Sequence, residues 1–172
     1  MALLPIITAP DPRLKQKCKS VEAVDAEIVQ LMDDMLETMY DAPGIGLAAP
    51  QVGALKRVIV VDVAREAEPP SPLCLANPEI IWESENTKSY EEGCLSVPEQ
   101  YDTVVRPDRI KVRYLDRENK RQEIETDGLL AVVLQHEIDH LNGVLFVDYL
   151  SSLKRNMILR RVRKMKKPGV DA

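Results

Sequence analysis

The chain has 172 residues, 45% of them hydrophobic and 30% charged, the make-up of an ordinary soluble globular protein with one core. No apolar run approaches the roughly 20 residues of a membrane-spanning helix, and three widely spaced cysteines, Cys18, Cys74 and Cys94, argue against a disulfide framework. The net charge of −5 is uneven: residues 151–172 hold eight of the 23 basic side chains and one of the 28 acidic ones, so an acidic body carries a basic tail.

The opening run Ala2-Leu3-Leu4-Pro5-Ile6-Ile7 has no basic stretch before it and is short for a signal sequence, so a cytoplasmic location is expected. Pro5, Pro10 and Pro12 suit an extended segment laid over the surface. Over about 25–41, Ile28, Leu31, Met32, Met35, Leu36 and Met39 recur at helical spacing. Asp25 is placed to cap this helix, Pro43-Gly44 to stop it, and its methionines to fill the core.

Gly44 to Gln51 is a run of small residues ending in one amide, which reads locally as a tight loop before a buried strand over 57–63. Residues 64–73, with Pro69, Pro70 and Pro72, predict a surface loop, and 74–82 and 84–90 predict two short strands. Apolar and charged residues alternate over 108–115, turn through 116–120 and return over 121–126, the pattern of an antiparallel hairpin with one wet face. A helix over about 127–142 is apolar on every side before its polar end, and so is expected to be buried, with Gly143 as its stop. A last, basic helix is expected over about 151–167.

The buried helix ends in His136-Glu137-Ile138-Asp139-His140, and these are the only two histidines in the chain. Residues at i and i+4 share a helix face, so both imidazoles can meet one metal ion, and Glu137 beside them can act as a general base. A catalytic site of this type needs a third protein ligand. The usual downstream position, six residues after the second histidine, is Phe146, and no glutamate follows Glu137. The search therefore turns upstream. There Cys94, within Glu92-Gly93-Cys94-Leu95-Ser96, is the best candidate, although a free cysteine is also commonly a small buried hydrophobe.

Gly44-Ile45-Gly46-Leu47-Ala48-Ala49-Pro50-Gln51, Glu92-Gly93-Cys94-Leu95-Ser96 and Gln135-His136-Glu137-Ile138-Asp139-His140 resemble, in order and rough spacing, the three signature motifs of bacterial peptide deformylases. The similarity extends over nearly the whole chain. It implies an α+β fold, with a central metal-binding helix surrounded by antiparallel β-sheets, as a single domain over 1–172 that includes the tail 151–172. It also implies Cys94, His136 and His140 as ligands of one divalent ion, with Fe2+ the expected metal and Zn2+, Ni2+ or Co2+ able to substitute. The implied reaction removes the N-formyl group from the formyl-methionine of nascent polypeptides and releases formate. Glu137 would be the base, and the Gln51 amide and Leu95 N–H would stabilise the oxygen of the formyl group.

Leu129, Val132 and Val133 lie seven, four and three residues before His136, so they share its face and can line a methionine pocket. Ile45, Gly46 and Tyr90 are expected as further walls, and Glu92 and Gly93 as substrate contacts. Tyr101 follows Glu99-Gln100 where many relatives carry an arginine, while Arg106 is expected to pair with Asp139. The basic tail is similar to the C-terminal helix with which deformylases dock on the ribosome, and the protein is expected to be a monomer without membrane contact. Two rival readings are a different metal hydrolase, marked by endopeptidase activity without formate release, and an RNA-binding module with a closed structural metal site of four protein ligands.

Overall fold

A computed structural model describes residues 2–165. Helix α1 (Ala26–Asp41) begins where Asp25 accepts a hydrogen bond from the Ile28 N–H, as expected of a cap. The strands β1 (Gly46–Ala48), β2 (Val58–Val61), β3 (Leu73–Glu83), β6 (Arg109–Leu115) and β7 (Arg121–Asp127) form one antiparallel sheet in the order β1-β2-β3-β6-β7. Strands β4 (Thr87–Cys94) and β5 (Val97–Pro107) pair as a separate antiparallel ribbon. Helices α2 (Gly128–Leu141) and α3 (Ser152–Met165) complete the α+β architecture.

The continuous apolar run of β2 is explained by burial on both faces. Val58 and Val60 pack with Ile28, Met32, Met35 and Met39 of α1, whereas Ile59 and Val61 pack with Ala131, Val133, Leu134 and Ile138 of α2. The five-stranded sheet is thus sandwiched between α1 and α2, and the methionines are core filling. A third apolar cluster joins Ile158 and Val162 of α3 to Val97 and Val104 of β5 and to Phe146. The basic helix is therefore seated on the body by its apolar stripe, while Lys154, Arg160, Arg161, Arg163 and Lys164 remain exposed.

Several expectations are corrected. Residues 46–48 are not only loop: they pair with β2 as an edge strand. The N-terminal segment is not merely laid over the surface, because Ala9 and Leu14 are buried. Its Ile7 N–H donates to the Gln51 carbonyl and its Ala9 N–H to the Ser96 carbonyl, which ties two loops together. Strand β5 was not foreseen, since its inward side includes the buried Arg106 in place of an apolar residue. The basic helix begins at Ser152, and positions 166 and 167 of its expected span lie outside the described residues.

The C-terminal end of α2 is fixed by two devices. Arg57 donates to the Leu141 carbonyl at 3.0 Å, supplying a cation where the helix carbonyls are unpaired. Gly143 follows with φ +76, and a Cβ there would come 2.4 Å from the Lys15 carbonyl oxygen. Gly143→Ala is therefore expected to lower unfolding stability by more than about 1 kcal/mol, from backbone strain plus the clash. Urea unfolding of the variant and the parent measures the difference.

Candidate metal centre

Helix α2 brings four polar side chains, Gln135, His136, Glu137 and His140, into the interior, all at most 7% exposed. The two histidines share the face turned toward the β4–β5 ribbon, where the two-residue turn Leu95-Ser96 leaves Cys94 at the end of β4. Cys94, His136 and His140 converge, with ligand atoms all within 4.8 Å of one another. Cys94 Sγ lies 3.3 Å from His140 Nε2, close to the edge of about 3.5 Å between sulfur and nitrogen in a tetrahedron of ordinary ligand lengths. The two imidazoles meet edge to face, with centroids 5.0 Å apart. One thiolate and two imidazoles in this arrangement fit a borderline divalent ion.

The orientation of His136 is fixed from behind. Its Nδ1 lies 2.9 Å from Glu92 Oε1, so the N–H donates there and Nε2 is turned toward the cluster. Arg106 grips the same carboxylate at both oxygens, Nε to Oε2 at 2.6 Å and Nη2 to Oε1 at 2.9 Å. Its Nη1 donates to Asp139 Oδ2 at 2.9 Å, so the expected Arg106–Asp139 pair is present. Burial alone would raise the Glu92 carboxyl, but the bonds from Arg106 and His136 outweigh it and hold it below the usual carboxylate range. Glu92 borders the cavity as expected, yet both of its oxygens are engaged. Its geometry is that of a support for His136 at the cavity wall.

Glu137 differs from Glu92 in having no cation in its grip. Burial pushes its carboxyl up to about 7, with His136 opposing. Its Oε1 is buried without a hydrogen-bond partner among the described residues. Gly46 lets it lie close to the backbone: a Cβ at that position would stand 2.5 Å from Glu137 Oε2 and 2.9 Å from a Val133 methyl. Gln51 is anchored at both ends of its amide. Oε1 accepts from the Ala48 N–H at 2.9 Å, and Nε2 donates to Ser96 Oγ at 3.0 Å and lies 3.5 Å from Cys94 Sγ.

A cavity of about 470 Å³ opens onto this cluster. Ile45, Gly46, Gly93, Leu95, Leu129, Val132 and Val133 line it, together with Gln51, Glu92, His136 and Glu137. Leu129 is half exposed at the mouth, and the two valines are buried. Tyr90, expected as a wall, is not among the lining residues. It shares a strand face with Glu92 but stands two residues farther along β4, about 7 Å away from it. Residues 97–101 also line the cavity and were not foreseen. Tyr101 pairs with Gly93 across the ribbon and is 64% exposed at the rim. Ser96, fully buried as the partner of the Gln51 amide, was likewise missed. Its place in the cysteine motif was the one available signal.

Comparison with known proteins agrees with this geometry. Residues 3–156 match the model of the polypeptide deformylase family. The chain is 58% identical over 170 residues to the peptide deformylase of Methylocella silvestris, covering 97% of this chain and 87% of that one. It is 56% identical over 164 residues to the peptide deformylase of Agrobacterium fabrum, covering 95% and 96%. Among solved structures, the peptide deformylase of Ehrlichia chaffeensis in complex with actinonin superposes with a TM-score of 0.93 at 46% identity, covering 97% of this chain and 99% of that one. A peptide deformylase from Legionella pneumophila gives 0.89 at 48% identity, covering 97% and 100%.

Glu92→Gln removes the charge that Arg106 and His136 share. The variant is expected to bind a divalent metal about 10- to 100-fold more weakly, measured by competition with a chromogenic chelator. Unchanged affinity would remove Glu92 from the support of His136.

Proposed function

Because this chain belongs to the polypeptide deformylase family, we propose that Cys94, His136 and His140 hold its metal and that Glu137 is its general base. The protein removes the N-formyl group from the N-terminal formyl-methionine of nascent polypeptides and releases formate. The observation that carries the residue assignment is the buried, unpartnered Glu137 Oε1, one residue from His136 in the cavity that also contains Cys94.

The metal, when bound, supplies a Lewis acid that makes water nucleophilic near neutral pH and polarises the formyl carbonyl. Glu137 then takes the proton from the attacking water and returns it to the leaving amine. A carboxyl whose proton affinity is already raised toward neutrality suits both transfers. Negative charge grows on the former carbonyl oxygen, and we assign the Gln51 Nε2–H and the Leu95 N–H as its donors. The anchoring of Gln51 by Ala48 and Ser96 means that little reorganisation is needed at that moment. The methionine side chain enters between Val132, Val133 and Leu129 of α2 and Ile45 and Gly46 of the small-residue loop, with Gly93 at its edge.

We further propose that the physiological ion is Fe2+, with Zn2+, Ni2+ or Co2+ as substitutes, since a Cys-His-His donor set accepts several divalent ions. The chain is proposed to work as a monomeric, single-domain protein over 1–172 in the cytoplasm. No helix among the described residues is long and apolar enough to cross a membrane. Docking of the outer face of α3 on ribosomal RNA, close to the emerging substrate, is supported by its exposed lysines and arginines.

Glu137→Ala is expected to retain its metal and lose about 100- to 10,000-fold in deformylation, read by formate release from formyl-Met-Ala-Ser and by metal analysis. Turnover at the parental rate would exclude Glu137 as the base. Because Ile158 and Val162 belong to the core, docking is tested by charge reversal and not by deletion. Replacing Arg160, Arg163 and Lys164 with glutamate should abolish a ribosome association that itself weakens steeply with salt. Salt-independent sedimentation with ribosomes would count against docking through α3.

A further inference from the structure

The 3-10 turn Phe146–Tyr149, which joins α2 to α3, reaches His136 by two separate routes. Phe146, 1% exposed, stacks on the imidazole, with centroids 6.2 Å apart and planes inclined by 25°. Tyr149 reaches it through a line of charged groups. Its hydroxyl donates to Asp139 Oδ2 at 2.7 Å, and the same oxygen accepts from Arg106 Nη1 at 2.9 Å. Arg106 grips Glu92, and Glu92 Oε1 receives the His136 Nδ1–H. The Tyr149 ring also covers the cation itself: Arg106 Cζ lies 4.8 Å from the ring centroid. Although the outer face of Tyr149 is half exposed, the Arg106 side chain beneath it is only 4% exposed.

We infer that Tyr149 is a positioning residue for His136, its ring sealing Arg106 from water and its hydroxyl holding Asp139 in place. The inference rests on the reading of His136 as a metal ligand. Arg106 is a cation in a nearly dry setting, balanced by Glu92 on one side and Asp139 on the other. Its attraction for both carboxylates is strong because water is kept away. Opening the Tyr149 side admits water to the guanidinium, weakens the grip on Glu92 and loosens the bond that orients the imidazole. The other polar side chain of the turn ties it to α3: Asp148 accepts from the Leu145 N–H, pairs with Lys15 and lies 4.0 Å from Arg155. The turn therefore links the seat of the basic helix to the orientation of His136.

The test uses the full chain loaded with Co2+. Groups that directly hold a metal-ligating histidine account for about 10- to 100-fold in affinity, and Tyr149 acts at least one link farther out. Tyr149→Ala is expected to bind Co2+ about 3- to 10-fold more weakly by chelator competition, on the same scale, with kcat lowered and KM unchanged on formyl-Met-Ala-Ser. Tyr149→Phe, which keeps the seal, should recover most of both losses. A Tyr149→Ala protein whose Tm falls while its Co2+ affinity and kcat remain parental overturns the inference, since Tyr149 then only supports the fold. A Tyr149→Phe protein no better than Tyr149→Ala overturns it as well. His136→Ala separates this inference from the reading beneath it: if Co2+ binding is lost there while Tyr149→Ala binds as the parent does, the role of Tyr149 alone falls, whereas unchanged binding in His136→Ala overturns the metal site and the role of Tyr149 with it.

Discussion

Taking Gln135, His136, Glu137 and His140 of one helix out of water is the constraint around which the rest of the molecule is arranged. A buried polar group left without a partner costs about 1–3 kcal/mol, and a charged one costs more. Their partners come from α2 itself and from both strands of the β4–β5 ribbon. The Gln135 side-chain amide donates to the Pro107 carbonyl at the end of β5 and to the Ala131 carbonyl within α2. His136 is met by Glu92 of β4, and His140 by Cys94 at the end of the same strand. Of these four side chains, Glu137 Oε1 and His140 Nδ1 are left buried without a partner among the described residues. A buried carboxylate oxygen left free beside the cluster suits the proton-accepting role proposed for Glu137.

The acidic partner of His136 creates a second demand, which Arg106 answers. Glu92 is too deeply buried to carry its charge alone, and β5 delivers a guanidinium whose planar fork meets both carboxylate oxygens. The charge of Arg106 is in turn shared with Asp139, so the helix that carries the histidines is pinned to the ribbon from both sides of the metal cluster. The N-terminal segment adds backbone bonds to the Gln51 and Ser96 carbonyls, close to the side-chain bond between the same two residues. The result is a site assembled from four parts of the chain on supports that leave its donors little freedom.

Much of this was legible in the sequence. The periodicity of α1, the β6–β7 hairpin and the wet outer face of α3 follow from the spacing of apolar residues, and the burial of α2 from an apolar run without a polar side. The His136/His140 pair follows from the i, i+4 rule, and Cys94 and Gln51 became identifiable through the resemblance of their motifs. The Arg106–Asp139 pair was expected as well, but the depth at which polar groups are buried was hidden from the sequence. Arg106, Glu92 and Ser96 look like surface residues to any hydropathy pattern, and the inward turn of Arg106 obscured strand β5. Tyr90 was misplaced for a different reason: strand alternation gives the face of a residue but not its distance along the strand from a site. Edge strand β1 escaped notice because its three small and apolar residues, Gly46 to Ala48, carry no alternation to read.

X-ray absorption at the metal edge of the Zn2+-loaded protein tests the proposed centre most directly. One sulfur at about 2.3 Å and two imidazole nitrogens at about 2.0–2.1 Å are expected, with one position left open to exchange. A spectrum without sulfur, or one with four protein ligands and no exchangeable position, would contradict the assignment of Cys94, His136 and His140 to a hydrolytic metal site.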